Sequence, residues 1–359
     1  MKISTKRTLS NLALIAVLFG ITALIQFFAP PTSMWFSVLR KVFTFALAAV
    51  SMNLLNGFTG LFSLGQAGFM LIGAYTYAIF SIPDSARDMV FKNWGASLVK
   101  VQLPFVVSLI LAGLAAAFFA FLIGLPVLKL KSDYLAIATL GFAEIARGIV
   151  QSQDLGAVTN GPDPLHSFTT TTNILVYEAI AGVCILIIVL LIKSTYGRAF
   201  KAIRDDEIAA EAMGINLAHH KRMSFIISSF FCGIAGAMLA MCNTTVSSVS
   251  YTSNMTYQIL LVVVIGGIGS VSGSLIAAFI YYTSSEWWLK FLDMETYIGD
   301  FKVPLLGPGF RMVVFSVLIM LIVLFFRRGI MGTHEISVYD TAVKLKKLFT
   351  KKTGKGDAA

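Results

Sequence analysis

The chain has 359 residues, of which 57% are hydrophobic and only 13% are charged. Soluble domains carry about 25% charged residues, so this composition excludes a protein surrounded by water on every side and indicates an integral membrane protein. The formal net charge of +10 does not indicate a nucleic-acid partner. The lysines and arginines lie between apolar runs and in the C-terminal tail, as topology signals do.

The N-terminus starts with a short basic stretch that is followed by an apolar run. Lys2, Lys6 and Arg7 precede the apolar residues 9–28. A cleaved signal peptide has a shorter apolar core and a small-residue cleavage site. We therefore expect a cytoplasmic segment 1–8 and a retained first span.

Apolar runs predict an all-α polytopic membrane protein with about ten transmembrane segments. The predicted segments are 9–29, 42–56, 68–82, 104–126, 134–150, 174–192, 223–242, 256–268, 272–290 and 309–327. They predict a transmembrane domain over 9–327 and a basic cytoplasmic tail over 328–359.

An even number of spans places both termini on one side of the membrane. The longest loop between spans, 193–222, is basic and contains Lys193, Arg198, Lys201, Arg204, Lys221 and Arg222. Basic loops stay in the cytoplasm. We expect this loop and both termini to be cytoplasmic.

Two glycine-rich stretches interrupt the apolar pattern, at 56–68 and 266–273. Glycine allows sharp turns, and irregular backbone at membrane depth is tolerated where protein buries it or where it lines a cavity. Paired interruptions of this kind indicate a transport pathway; the alternative is close helix packing without substrate contact. The candidate pathway or hinge residues are Asn56, Gly57, Gly60, Ser63, Gly65, Gln66, Gly266, Gly267, Gly269 and Gly273.

The basic loop also contains a short predicted helix over 205–214. Asp205 is the predicted N-cap, and Gly214 is the predicted left-handed residue after the helix. An amphipathic helix between spans suits docking of a cytoplasmic partner, or it lies on the inner membrane surface. The candidate docking residues are Arg198, Arg204, Asp205, Asp206, Glu207, Glu211 and Gly214.

Glu144 and Arg147 are charged residues within a predicted span, three positions apart. This spacing makes them neighbours on a helix, so each can neutralise the other. They form either a structural pair that orients the helix, which we favour, or a substrate-facing pair that matches a zwitterion.

No enzyme or cofactor site is predicted. The cysteines lie in apolar runs, the histidines are scattered among loops, and neither set has metal-ligand spacing. The phosphate-binding motif G-x-x-x-x-G-K-[ST] is absent from the sequence. Any nucleotide hydrolysis must therefore come from another chain.

Four stretches of sequence occur in the order typical of one transporter family. They are 56–69 (NGFTGLFSLGQAGF), 133–141 (DYLAIATLG), 198–214 (RAFKAIRDDEIAAEAMG) and 264–273 (VIGGIGSVSG). The third resembles the coupling loop of the permeases of branched-chain amino-acid ABC importers. The 133–141 stretch is more similar to the larger permease subunit of that family than to the smaller one. Gln66 stands where the family more often has His.

The resemblance implies a permease that imports branched-chain amino acids across the bacterial plasma membrane. It also implies two cytoplasmic ATPase subunits that hold ATP and Mg, a second permease and an extracytoplasmic binding protein. No cofactor is expected on this chain. A urea or short-amide importer of the same superfamily remains an alternative.

Two other function classes remain as alternatives. An ion-coupled secondary transporter could share the broken segments, but usually has unpaired carboxylates near the midplane, whereas Glu144 has Arg147 beside it. An intramembrane enzyme is the third alternative, and no Ser-His-Asp or paired-carboxylate constellation can be assembled from the sequence.

Overall fold

A computed structural model describes most of the chain between residues 19 and 332. The described residues are 19–20, 22–28, 33–94, 97–130, 132–288, 297–298, 301–302, 313–314, 316–317, 320 and 329–332. The predicted first and last spans fall largely outside these residues.

The described part of the chain is almost entirely helical. Its α-helices are α1 Met34–Asn53, α2 Gln66–Ser81, α3 Asp84–Val90, α4 Phe105–Val127, α5 Ser132–Gln151, α6 Gly156–Thr159, α7 Ile174–Lys193, α8 Thr195–Asp205, α9 Glu207–Ala212, α10 Leu217–Asn243, α11 Ser253–Gly266 and α12 Val271–Thr283. Two π-helical segments follow α1 and α12, at Leu54–Phe58 and Ser284–Trp288. Short 3-10 turns occur at Lys92–Trp94, Gln153–Leu155 and Ser248–Ser250, and the strands β1 Tyr297–Ile298 and β2 Phe301–Lys302 pair antiparallel.

Within the part of the chain that the structure describes, five helical stretches are long and apolar enough to cross a membrane. They are Met34–Phe58, Phe105–Val127, Ile174–Lys193, Leu217–Asn243 and Ser248–Gly266. The all-α membrane fold predicted from the sequence is confirmed at this level, while the count of ten segments stays a prediction. The segment predicted at 42–56 starts earlier than expected, because the helix already begins at Met34.

The spans differ in how much of their surface the protein itself covers. The most apolar windows of Met34–Phe58 and of α10 are 83% and 78% buried, whereas those of α4 and α7 are 33% and 28% buried. α1 and α10 therefore form the centre of the bundle. α4 and α7 present large apolar side chains outward, including Phe118 and Leu190, as helices do where lipid is the solvent.

Small residues allow the central helices to approach closely. A Cβ atom on Gly73 of α2 would collide with the backbone carbonyl of Gly233 of α10, and a Cβ atom on Gly236 would collide with that of Met70. Close approach of this kind is typical of helix packing in membranes, where small residues replace a hydrophobic driving force.

α1 and α12 run antiparallel along their whole length. Trp35 contacts Trp287 at one end, with ring centroids 4.4 Å apart and the ring planes tilted by 51°, and Asn53 contacts Ser274 at the other. We call the end with Trp35 and Trp287 the tryptophan end, and the end with Asn53 and Ser274 the glycine end. α8 and α9 lie at the glycine end, because α7 arrives there and α10 departs from it.

Candidate functional site

The first glycine-rich stretch forms the connection between α1 and α2. α1 continues into the π-helical segment, which contains Asn56 and Gly57, and the chain is then irregular until α2 begins at Gln66. Gly60 adopts φ +76°, a conformation that side chains with a Cβ rarely adopt. The side-chain oxygen of Asn56 accepts a hydrogen bond from the backbone amide of Ser63 at 3.2 Å. This bond connects the π-helical segment to the irregular segment that follows it.

The second glycine-rich stretch connects α11 to α12. α11 ends at Gly266, and Gly267 and Gly269 adopt φ values of +115° and +87°. Gly273, a predicted hinge residue, lies in the first turn of α12, where its amide donates to the Ser270 hydroxyl at 3.1 Å. The short turn therefore consists of 267–270, and α12 resumes earlier than the sequence suggested.

The two connections meet at the glycine end. A Cβ atom on Gly57 would lie 2.5 Å from the amide nitrogen of Gly269 and would also collide with the side chain of Asn53. Only glycine fits at position 57. The two stretches that the sequence singled out separately thus form one structural unit, which we call the glycine junction (Asn53, Gly57, Gly60, Gly267 and Gly269).

Asn53, at the end of α1, holds the second connection in place. Its side-chain nitrogen donates to the carbonyl of Ser270 at 2.9 Å and to the hydroxyl of Ser274 at 2.8 Å. Its side-chain oxygen accepts from the amide of Gly269 at 2.8 Å. The side chain is fully buried, so these bonds replace the water that the turn would otherwise need. Sequence reasoning did not identify this residue; an amide inside an apolar span was the available signal.

Arg204, near the end of α8, reaches the same junction from the basic loop. Its Nη1 donates to the carbonyl of Gly57 at 3.2 Å and lies against Gly269, and its aliphatic chain lies against Gly60. α8 makes a second contact with the first connection: the Lys201 ammonium lies 5.5 Å from the centre of the Phe58 ring. The loop helix α8 is thus attached to both glycine-rich connections.

The short helix of the loop differs from its prediction. α9 spans Glu207–Ala212, and its N-cap is Asp206, which accepts from Ile208 and Ala209 at 2.9 and 3.0 Å. The predicted cap, Asp205, is the last residue of α8 and pairs with Arg204 at 2.8 Å. Asp206 is the cap because its backbone is extended between the two helices, whereas Asp205 still belongs to α8. Gly214 has the expected positive φ, +85°.

α9 presents an apolar surface to its surroundings. Ile208 of α9 and Met213, which directly follows it, are each 83% exposed, whereas Ala210 is buried against the rest of the loop. Glu207 is held by Lys221 at 2.6 Å, while Glu211 and Arg198 are exposed. One side of α9 is therefore held by contacts within the loop, and the other side is exposed.

Gln66 is a buried amide at the start of α2. It is fully buried, and neither side-chain atom has a hydrogen-bond partner among the described residues. Its backbone carbonyl accepts from Cys232 in the middle of α10, and the next amide, of Ala67, donates to Thr256. The start of α2 therefore lies inside the bundle and not at its surface. A buried unsatisfied group of this kind requires an explanation.

Glu144 and Arg147 form the pair that their spacing predicted. Arg147 donates two hydrogen bonds to one carboxylate oxygen of Glu144, at 2.9 and 2.6 Å. The other oxygen accepts from the hydroxyl of Ser253 at 2.6 Å. Because Ser253 begins α11, the pair connects α5 to α11; the structural role favoured from the sequence stays a prediction.

A turn at 329–332 packs against the glycine junction. The amide of Ile330 donates to the carbonyl of Ile265 at 2.8 Å, and that of Met331 donates to Gly266 at 3.2 Å. The sequence placed the start of a basic tail here. The remainder of that predicted tail, 333–359, lies outside the described residues.

Comparison with known proteins gives a consistent result. A family model described as "Branched-chain amino acid transport system / permease component" matches residues 34–325. LivM, the high-affinity branched-chain amino acid transport system permease protein of Salmonella typhimurium, is 31% identical over 276 residues, which cover 67% of this chain and 60% of LivM. The LivM protein of Escherichia coli matches with the same identity and coverage.

More distant relatives point to the same family. LivH of Salmonella typhimurium is 22% identical over 306 residues, covering 82% of this chain and 92% of LivH, so the chain is more similar to LivM, the larger permease. The chain spans about 60% of the length of the LivM proteins it matches. No solved structure matches the chain. The chain belongs to the family of permease components of branched-chain amino acid transport systems.

Proposed function

We propose that this chain is the membrane-spanning permease of a binding-protein-dependent ABC importer for branched-chain amino acids. Its family and its LivM relatives support the substrate class and the transport role. The observation that carries the mechanism is the attachment of α8 to both glycine-rich connections through Arg204.

In this proposal α9 is the surface on which a cytoplasmic ATPase docks. Ile208 and Met213 supply exposed apolar area, and Glu207 and Glu211 supply charge. ATP and Mg are bound by two ATPase subunits, and no cofactor is bound by this chain. A change in the ATPase pair then displaces α9 and α8 together, since the loop between them is a single extended residue, Asp206.

The displacement of α8 reaches the pathway through the glycine junction. Arg204 contacts the first connection directly, and Asn53 links that connection to the second. The positive-φ glycines 60, 267 and 269 can absorb a backbone change that other residues resist. The two access states would differ in how they bind the ATPases, which is the condition for ATP to bias them.

The orientation and the remaining partners follow from the same proposal. The loop 193–222 and both termini face the cytoplasm of a bacterium, and the tryptophan end faces outward. An extracytoplasmic binding protein docks at that outer end, and a second permease, homologous or identical, completes the passage.

An ion-coupled transporter is the alternative from another class. The acid that such a mechanism would use, Glu144, has one carboxylate oxygen bound by Arg147 and the other by Ser253. A carboxylate in this environment is a poor site for ion or proton coupling, so the geometry favours ATP-driven transport. A urea or short-amide importer would have the same machinery and differ in substrate.

Uptake by the purified assembly in proteoliposomes separates these alternatives. With the binding protein present and ATP supplied on the α9 side, we expect accumulation of labelled leucine without any ion gradient. Accumulation that needs a sodium or proton gradient and ignores ATP would refute the proposal. Uptake of urea with no uptake of leucine would keep the mechanism and change the substrate.

A further inference from the structure

A polar pocket lies at the tryptophan end of the bundle, away from the glycine junction. It has a volume of about 230 Å³ and is formed by α1, α10, the start of α11 and the end of α12. Pockets for drug-sized ligands have volumes of roughly 300–1,000 Å³. This pocket is therefore the size of a small metabolite.

The wall of the pocket contains one cation and one anion. Lys41 of α1 and Glu286, which follows α12, both line it. The Lys41 ammonium lies 2.8 Å from a carboxylate oxygen of Glu286, and the two side chains are 26% and 31% exposed. A ligand with a carboxylate and an ammonium could insert between them and exchange one ion pair for two, with no change in the net charge of the site.

The remaining wall is divided between neutral polar and apolar groups. Asn243, Asn254 and Gln258 contribute amides, whereas Leu239 and Met255 contribute apolar surface. Amides can complete the hydrogen bonds of a charged ligand, and the apolar residues can receive an aliphatic side chain.

Tyr282 contributes an aromatic ring to the wall of the pocket. It lines the pocket and stacks on Phe45 with ring centroids 4.1 Å apart. Its hydroxyl is buried and has no hydrogen-bond partner among the described residues. The hydroxyl oxygen itself is not accessible from the pocket, so a ligand there would contact the ring of Tyr282 and not its hydroxyl.

We propose that this pocket binds a free α-amino acid as a zwitterion. Lys41 receives the carboxylate, Glu286 receives the ammonium, and Leu239 and Met255 contact the side chain. The inference rests on the proposed function, since it places amino-acid substrate on this chain at the end opposite to the ATPase surface. The pocket would hold substrate after release from the binding protein and before the passage opens.

The test is direct binding of labelled L-leucine to the purified assembly in phosphatidylglycerol nanodiscs, without the binding protein. We expect saturable binding that 4-methylpentanoate and 3-methylbutylamine compete for only weakly, since each lacks one charge. Lys41→Gln and Glu286→Gln should each weaken binding by about tenfold or more. Lys100→Gln and Asp88→Asn, which neutralise exposed charges outside the pocket, should leave binding unchanged.

A charge exchange separates ligand binding from a purely structural ion pair. Lys41→Glu combined with Glu286→Lys keeps an ion pair between α1 and the end of α12 but reverses its polarity relative to the apolar wall. We expect normal thermal stability and weak leucine binding. Leucine affinity equal to that of the unmodified chain would show that the pair is structural and overturn the proposal.

Two further results would overturn the proposal. One is the absence of leucine binding in the unmodified assembly. The other is loss of binding when phosphatidylethanolamine replaces phosphatidylglycerol, which would assign the pocket to a lipid headgroup. Either result with intact ATP-driven leucine uptake would refute the pocket alone, whereas absence of ATP-driven uptake would refute the proposed function.

Discussion

At the scale of single residues, the glycine junction depends on one amide side chain. Asn53 makes four hydrogen bonds to the turn between α11 and α12 and to the first residues of α12, and these partners lie more than 200 residues away along the chain. Leaving a buried donor or acceptor unpaired costs about 1–3 kcal/mol. Asn53 is therefore expected to contribute more to stability than its size suggests.

Replacement of Asn53 tests this contribution. Asn53→Ala leaves the Gly269 amide without its partner and removes one donor from the Ser270 carbonyl, which keeps its bond from the Ser274 hydroxyl. We therefore expect a loss of about 2 kcal/mol or more in stability, seen as a lower thermal midpoint in detergent. The matched control is Asn93→Ala, which removes an exposed amide bound to Asp163 and should cost less than about 0.5 kcal/mol. Equal midpoints for the two variants would contradict the role given to Asn53.

For Gln66 we expect the opposite effect on stability. Gln66→Met replaces a buried amide that has no partner among the described residues with an apolar side chain of similar length, so we expect the thermal midpoint to stay level or rise. We also expect uptake to fall, because the amide would find its partner only in another access state. A variant that gains stability and transports normally would show that the amide has no role in the cycle.

Residue-level details were the least predictable part of the site. The glycines at 57, 60, 267 and 269 could be singled out from the sequence, because glycine-rich stretches within apolar segments indicate irregular backbone at membrane depth. The choice of Asp206 over Asp205 as the cap was not, since adjacent aspartates have the same capping chemistry. Asn53 was missed because its partners are distant in sequence, and hydrogen bonds of that kind leave no local pattern.

At the scale of elements, α9 combines a fixed side and an exposed apolar side. Ile208→Asp and Met213→Asp change side chains that are each 83% exposed, so the fold and the yield should be retained. We expect the variants to lose co-purifying ATPase subunits and substrate-stimulated hydrolysis, because a buried charge would face the docked partner.

The control for α9 is a similarly exposed apolar residue at the other end of the molecule. Leu98→Asp replaces a side chain that is 75% exposed, and it should leave ATPase association intact. If α9 instead rests on the inner membrane surface, the α9 variants will retain stimulated ATPase activity. That outcome would remove the docking assignment.

The order and type of the elements followed from apolar periodicity more closely than their ends did. The helix predicted at 174–192 is found at Ile174–Lys193, and that at 104–126 at Phe105–Val127, because both are long and strongly apolar. The helix predicted at 42–56 begins eight residues earlier, at Met34. Arg40 and Lys41 lie outside the predicted segment 42–56, but they belong to the helix, and their side chains bond to the Phe36 carbonyl and to Glu286.

At the scale of the whole molecule, the contacts define a continuous route from α9 to the centre of the bundle. α9 joins α8 through Asp206, Arg204 of α8 binds Gly57, and Asn53 connects Gly57 to the turn between α11 and α12. The turn at 329–332 packs on the far side of that junction. Sequence reasoning identified the separate stretches, but only the folded chain shows that they meet.

The central claim is that Arg204 transmits the ATPase cycle to the passage, and the ratio of leucine transported to ATP hydrolysed tests it most directly. Arg204→Gln removes the guanidinium that binds Gly57 but leaves the exposed face of α9 intact. In proteoliposomes we expect ATP hydrolysis to continue while uptake falls about tenfold or more, whereas Lys129→Gln, an exposed basic residue at the same end, should keep the normal ratio. An unchanged ratio in Arg204→Gln would contradict the account.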